Sequence, residues 1–385
     1  MSIERFLSDK YGHAKPALTL NLEAIKKYKD DLIDLSIGDT DLVTDEKIIQ
    51  AAFDGARAGY TRYGVPKGDP QLIKKIQQVY KEDYNMDLSE DEIAATPSTL
   101  MGMALLMLAI INPQDEVIVF EPFFSCYKAQ IELPGGNMVT VPTYKENNLL
   151  PVKEDLEKAI TSKTKAIIVN NPTNPTGAVY NRQTLEMIAQ VAKEHDLLVV
   201  ADEIYTFYIY EGEFIPIRSL EGMKERTVTL NSFSKNFMMT GWRAGFVIAE
   251  PQLVKTMISI DANLVYSTPS ISQRAAIKAL DERQYVKNTY IPIYKERRDI
   301  AMSMAKEIPW MKLDKVDGTF YAFPYISGTG LSSVEFCNAL LEKCHIVVIP
   351  GSAFGKSGEG FVRMALTVST EKVREAFERM KKVTF

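Results

Sequence analysis

The chain has 385 residues, 46% of them hydrophobic and 25% charged, which exceeds one typical core and excludes a disordered or fibrous protein. Lysine and arginine number 45 against 50 aspartate and glutamate, a net charge of −5 that argues against a broad grip on nucleic acid and favours small-molecule partners. The opening MSIERFLSDKYGHAK lacks the apolar core of a signal peptide, and the longest apolar run, Met101 to Ile111 with one glycine, is too short for a bilayer. A cytoplasmic protein with no membrane partner is expected. Cys126, Cys337 and Cys344 are scattered, as reduced thiols are, and His13, His195 and His345 have no metal-ligand spacing.

In chain order, the first forty-five residues hold no core of their own. From about residue 90 to 250, short β-rich runs (DEVIVF, NMVTVP, KAIIVNN, LLVVADE, TVTLNSF, GFVIAE) alternate with helical patterns such as RQTLEMIAQVAKEH. Several runs are apolar at consecutive positions, the pattern of strands covered on both faces of a parallel sheet. The fold class expected is α/β, a doubly wound layer of mostly parallel strands covered by helices. A helical pattern at roughly 270 to 307 contains Pro292, which should bend or break it. The strand candidates GTFYAFP, HIVVIP and FVRMAL and the amphipathic TEKVREAFERMKK then suggest a smaller α+β domain. The expected division is 46–280 for the large domain and 1–45 with 281–385 for the small one.

Ligands of an open parallel sheet bind beyond the carboxyl ends of its strands. There, KAIIVNN is followed by PTNPTG, LLVVA by DEIY and TVTL by NSFSK. Asn174 precedes Asp202 by 28 residues and Asp202 precedes Lys235 by 33, each close to the roughly 30 of one βα unit. Pyridoxal phosphate needs a lysine for its aldehyde and a carboxylate at its pyridine nitrogen. Lys235 and Asp202 answer those needs, and Lys235, once displaced, can carry a proton at the substrate Cα. Tyr205 and Asn174 can hydrogen-bond the ring's phenolic oxygen. In ATPSTLMGMALLMLAI, Ser98, Thr99 and the first amides of an apolar helix form an anion site. Ser232 and the guanidinium of Arg243, in GWRAG, are further phosphate donors. Phe124, in EPFFSCY, can stack on the pyridine face.

Each motif alone has a plainer explanation. NNPTNPTG is good turn sequence, DEIY can be a helix cap, and SFSK is common on surfaces. Order and spacing at successive strand ends make coincidence a poor account of the set.

As a set, the motifs resemble the class I/II aminotransferases of pyridoxal-phosphate fold type I, aspartate and aromatic aminotransferases included. The likeness runs from LSIGDTD through YTRYGVPKGDPQL, ATPSTLMGMAL, NNPTNPTG, ADEIY, SFSKNFMMTGWRAG and GTFYAFP to VVIPGSAFG and FVRMAL. It implies Lys235 as the Schiff-base lysine and Asp202, Asn174 and Tyr205 around the ring. It also implies Phe124 as stacking ring and Ser98 to Leu100, Ser232, Ser234 and Arg243 at the phosphate. Tyr63 would reach the phosphate of a neighbouring subunit, making a homodimer with shared active sites. Gly38 and Arg363 would meet the substrate α-carboxylate. Ser98 departs from the glycine of many relatives, and the Asn174–Pro175 bond is expected to be cis.

The activity implied is transfer of an amino group between an L-amino acid and a 2-oxo acid, with 2-oxoglutarate the favoured acceptor. The alternative is a lyase of the same fold. A non-catalytic regulator would carry a DNA-binding segment before the motifs, which begin by residue 35. For the substrate side chain, Lys15 and Arg62 are candidate cations, and Phe320, Tyr321 and Tyr11 candidate walls of an apolar pocket.

Overall fold

The computed structural model describes residues 3–12 and 26–385. Among the described residues, twelve strands form three sheets. The large one contains β2 (Ile93–Thr96), β3 (Glu116–Glu121), β4 (Asn137–Pro142), β5 (Thr164–Asn170), β6 (Leu198–Asp202), β7 (Thr227–Ser232) and β8 (Gly245–Ile248), following β1 (Ile33–Asp34) in the chain. Their order is β2-β8-β7-β6-β5-β3-β4. Neighbours from β7 to β4 are parallel, while β8 is antiparallel to both β7 and β2. The reversal follows from the link after β7. It carries only the helix Phe233–Asn236 and a 3-10 turn at Thr240–Trp242, too little for the crossover helix a parallel neighbour requires. Strand β2 was not legible as a strand. Its IAAT is short, and all four residues are buried, so no alternation marks it.

The central strands β5, β6 and β7 are buried on both faces, as their unbroken apolar runs imply. One face packs on Met103, Leu105, Leu106 and Met107 of the helix Thr99–Ile110. Another cluster joins Leu185, Ile188 and Ala192 of the helix Arg182–Glu194 to Ile167, Val169 and Val199. Burying one Leu, Ile or Val in this way contributes about 1.5–3 kcal/mol.

The smaller sheets lie in β1 with β10 (Ile346–Val347) and in β11 (Ile349–Pro350), β12 (Val362–Ala365) and β9 (Tyr321–Ala322). Parallel pairing of Ile33 with Ile346 packs early residues with the last eighty, as the missing N-terminal core requires. The helices Ser333–Cys344 and Thr370–Lys381 bury Phe336, Leu340, Phe377 and Met380 against Ile33 and Leu35.

The helical stretch expected to bend or break at Pro292 does not break there. Its break falls at Glu282, between helices Ser270–Asp281 and Arg283–Ala305, and the second runs unbroken through Pro292. One lost hydrogen bond is outweighed by a stripe of buried packing at Val286, Ile291, Tyr294, Ile300 and Ala301. No helix among the described residues is long and apolar enough to cross a membrane.

Candidate active site

Register converts the motif spacing into a site. Asn170 pairs with Asp202 and Asp202 with Leu230, so the ends of β5, β6 and β7 stand side by side. Antiparallel β8 begins at the same edge, where Gly245 pairs with both Thr96 and Ser232. A Cβ on Gly245 would lie 2.8 Å from the Asn231 carbonyl and 3.0 Å from the Thr99 nitrogen. Glycine there lets the strand approach the start of the helix Thr99–Ile110.

A cavity of about 470 Å³ opens at this edge. Its lining includes Gly38, Ser98, Thr99, Leu100, Phe124, Asn174, Asp202, Tyr205, Ser232, Ser234, Lys235, Arg243 and Arg363, every residue expected in the site from this chain. Tyr63 is not among them. It is 87% exposed, and its ring meets that of Tyr266 edge-on at 5.0 Å. Of the side-chain candidates, Tyr321 lines the cavity, whereas Phe320, Tyr11 and Arg62 do not. Phe320 is buried instead among Tyr205, Tyr208 and Tyr294, and Lys15 lies outside the described residues.

Asp202 is 4% exposed. Its Oδ2 accepts a 2.6 Å hydrogen bond from the Tyr127 hydroxyl, and its Oδ1 is buried without a partner. Burial pushes its carboxyl up to about 6 against the opposing hydrogen bonds from Tyr127 and the Ile204 backbone. A carboxylate held this way is suited to a cation bearing one N–H in the cavity. Tyr127 was not singled out from sequence although it stands in EPFFSCY. Asn170 was also missed, and it donates to the Asp202 carbonyl at 3.0 Å.

The Lys235 ammonium donates to the Gly38 carbonyl at 2.5 Å. Burial and the Tyr321 phenol raise the Tyr205 hydroxyl well above its usual range. Arg363, 5% exposed, donates to the Ser36 carbonyl at 2.5 Å and to Asn174 Oδ1 at 3.3 Å. Its Nε is buried and unpartnered, and no carboxylate pairs with it among the described residues. A buried guanidinium left in this state is a ready carboxylate site. The Asn174–Pro175 peptide is cis, as are Glu121–Pro122 and Asn171–Pro172.

At the other end of the cavity, Ser98 caps the helix Thr99–Ile110 with φ 84 and ψ 159, a region open almost only to glycine. The first amides of that helix lack intrahelical partners and face an anion favourably. Two hydroxyls expected as phosphate donors are already engaged. Thr99 donates to the Asn231 carbonyl at 3.0 Å, and Ser232 donates to that of Ala244 at 3.2 Å. Arg243 is exposed and donates to the Thr240 carbonyl at 2.7 Å.

An anion cradle, a lysine, a buried carboxylate and a buried arginine without a carboxylate partner thus face one cavity. Residues 30–380 match the family described as aminotransferase class I and II, and the chain belongs to it. The protein is an aminotransferase. It is 38% identical over 385 residues to the aspartate aminotransferase of Pyrococcus abyssi, covering 98% of each chain. It is 37% identical to aromatic-amino-acid aminotransferase 2 of Thermococcus litoralis, again over 98% of each. A solved Thermus thermophilus aspartate aminotransferase single mutant superposes with a TM-score of 0.93 at 32% identity, covering 98% of this chain and 99% of that one.

Proposed function

We propose that the cavity holds pyridoxal 5'-phosphate on Lys235 and that the protein moves an amino group between an L-amino acid and a 2-oxo acid, with 2-oxoglutarate the preferred acceptor. The observation carrying this reading is Asp202, a buried carboxylate with one oxygen anchored by Tyr127 and one unpartnered, beside Lys235 and Arg363 on one cavity. When bound, the cofactor supplies an electron sink for the pair released as a bond to the substrate Cα breaks.

The chain's own residues do the rest. Asp202 keeps the pyridine nitrogen protonated, and Tyr205 with Asn174 holds the phenolic oxygen. The backbone amides of Ser98 to Leu100, with Ser234 and Arg243, hold the phosphate, and the Ser232 hydroxyl turns to it from the Ala244 carbonyl, with Phe124 across the ring. Arg363, with Gly38, orients the substrate α-carboxylate, and Lys235, freed by the substrate amine, carries the proton at Cα. The names of the relatives favour aspartate or aromatic donors.

Tyr63, exposed and outside its own cavity, supports a homodimer in which it reaches the neighbouring site. Division into 46–280 and 1–45 with 281–385 accords with the separate sheets. Three free cysteines suit a cytoplasmic location.

The test follows the nitrogen. Purified protein with cofactor and single amino acids should release one equivalent of oxo acid while retaining the amine, and an added 2-oxo acid should then take it up. Continuous release of ammonia with pyruvate would overturn the reading in favour of a lyase.

A further inference from the structure

The motif GTFYAFP, which the proposed function does not use, carries Tyr321 into the site. Tyr321 is 2% exposed and lines the cavity. Strand β9 fixes its backbone beside Ala365, two residues beyond Arg363. Its carbonyl lies 2.9 Å from where a Cβ on Gly177 would stand, in the loop of NPTNPTG, and Gly177 has φ +72. Its hydroxyl occupies the space of a side chain at Gly38, 1.8 Å from an ideal Cβ there. That hydroxyl meets the Tyr205 hydroxyl at 3.3 Å, and its ring lies 4.7 Å beneath the Arg363 guanidinium. One side chain therefore touches both the residue facing the cofactor's phenolic oxygen and the residue facing the substrate carboxylate.

We propose that Tyr321 is a positioning residue with two separable tasks, its hydroxyl setting the hydrogen-bond direction of Tyr205 and its ring supporting Arg363. The proposal rests on the cofactor reading above. A phenol carries one proton. In this structure Tyr205 donates to Tyr321. To donate into the cavity, Tyr205 must receive from Tyr321, and a hydroxyl that accepts while donating is the stronger donor. The ring task is independent, because a guanidinium over an aromatic face is held in place whether or not the ring bears a hydroxyl.

Two variants separate the tasks. In Tyr321→Phe, the weakened donor from Tyr205 leaves the negative charge on the cofactor's phenolic oxygen less stabilised, so the nitrogen joining Lys235 to the cofactor holds its proton to higher pH. The spectroscopic titration of the loaded protein should move upward by about half to one pH unit, the equivalent of one hydrogen bond. Binding of an unreactive monocarboxylate, followed by calorimetry on the cofactor-free protein, should stay within about twofold, since the ring face is retained. Tyr321→Leu should show the same titration shift and weaken monocarboxylate binding by roughly three- to tenfold, as loss of a cation–π platform predicts.

A bound chromophore whose titration is unmoved in Tyr321→Phe overturns the hydroxyl task. Equal carboxylate affinity in the Phe and Leu variants overturns the ring task. If the parent protein forms no chromophore, the cofactor reading fails and takes the hydroxyl task with it, while the carboxylate measurement still decides the ring.

Discussion

Replacing Asp202 by asparagine should make the cofactor-free protein more stable at neutral pH while disabling it. Burial raises the Asp202 carboxyl from 3.8 to about 6, so the folded state binds a proton more tightly than the unfolded chain. Stability owed to this group is therefore full below 3.8 and is lost as pH rises through about 6. The rise corresponds to about 3 kcal/mol, at about 1.4 kcal/mol for each tenfold change in affinity. Asparagine can still accept from Tyr127, but its amide takes the place of the unpartnered Oδ1 at a cost of about 1–2 kcal/mol. The variant should gain about 1–2 kcal/mol above pH 7 and lose a similar amount near pH 4. Denaturant unfolding at fixed protein concentration, across that range without cofactor, measures the difference. Parallel stability curves would refute the buried, charge-strained carboxylate on which the cofactor argument stands.

Arg363→Lys should raise the KM for amino acid and oxo acid together by roughly ten- to a hundredfold, because one charged hydrogen bond of about 1.5–3 kcal/mol is lost; steady-state kinetics in both directions read this, and a change in kcat alone would contradict it. Ser98→Gly should stabilise the protein by about 1 kcal/mol, because relief of a glycine-only conformation exceeds the few tenths lost with the cap. Thermal melts check the gain, and a loss of stability would refute the strain. Tyr127→Phe removes the donor to Asp202 Oδ2, so the carboxyl should rise above about 6 and cofactor affinity fall by about tenfold; titration of cofactor binding between pH 5 and pH 8 should show the loss concentrated on the acid side.

The sheet and the strand-end residues were legible because each βα unit leaves its own apolar run and its own polar terminus. Asn174, Asp202 and Lys235 end successive units, and parallel register then brings them together. What crosses between units was not legible. Tyr127 reaches Asp202 across 75 positions, and nothing in EPFFSCY distinguishes its hydroxyl from a core tyrosine. Phe320 and Tyr321 are adjacent in sequence, yet of the two Tyr321 lines the cavity, while Phe320 packs among Tyr205, Tyr208 and Tyr294. Pro292 marked a bend or a break, and the break does not occur, because packing along one helical stripe outweighs a single missing hydrogen bond. The hydroxyls of Thr99 and Ser232 looked available from sequence, but the close approach of β7, β8 and the helix start engages both.

The central claim is that Lys235 carries the cofactor at the junction of these elements. It is tested most directly by incubating the protein with pyridoxal phosphate, reducing with borohydride, and locating the stable adduct by intact mass and peptide mapping. One adduct per chain on Lys235, absent in Lys235→Ala, is the predicted result. An adduct confined to surface lysines, or an unchanged pattern in the variant, would contradict it.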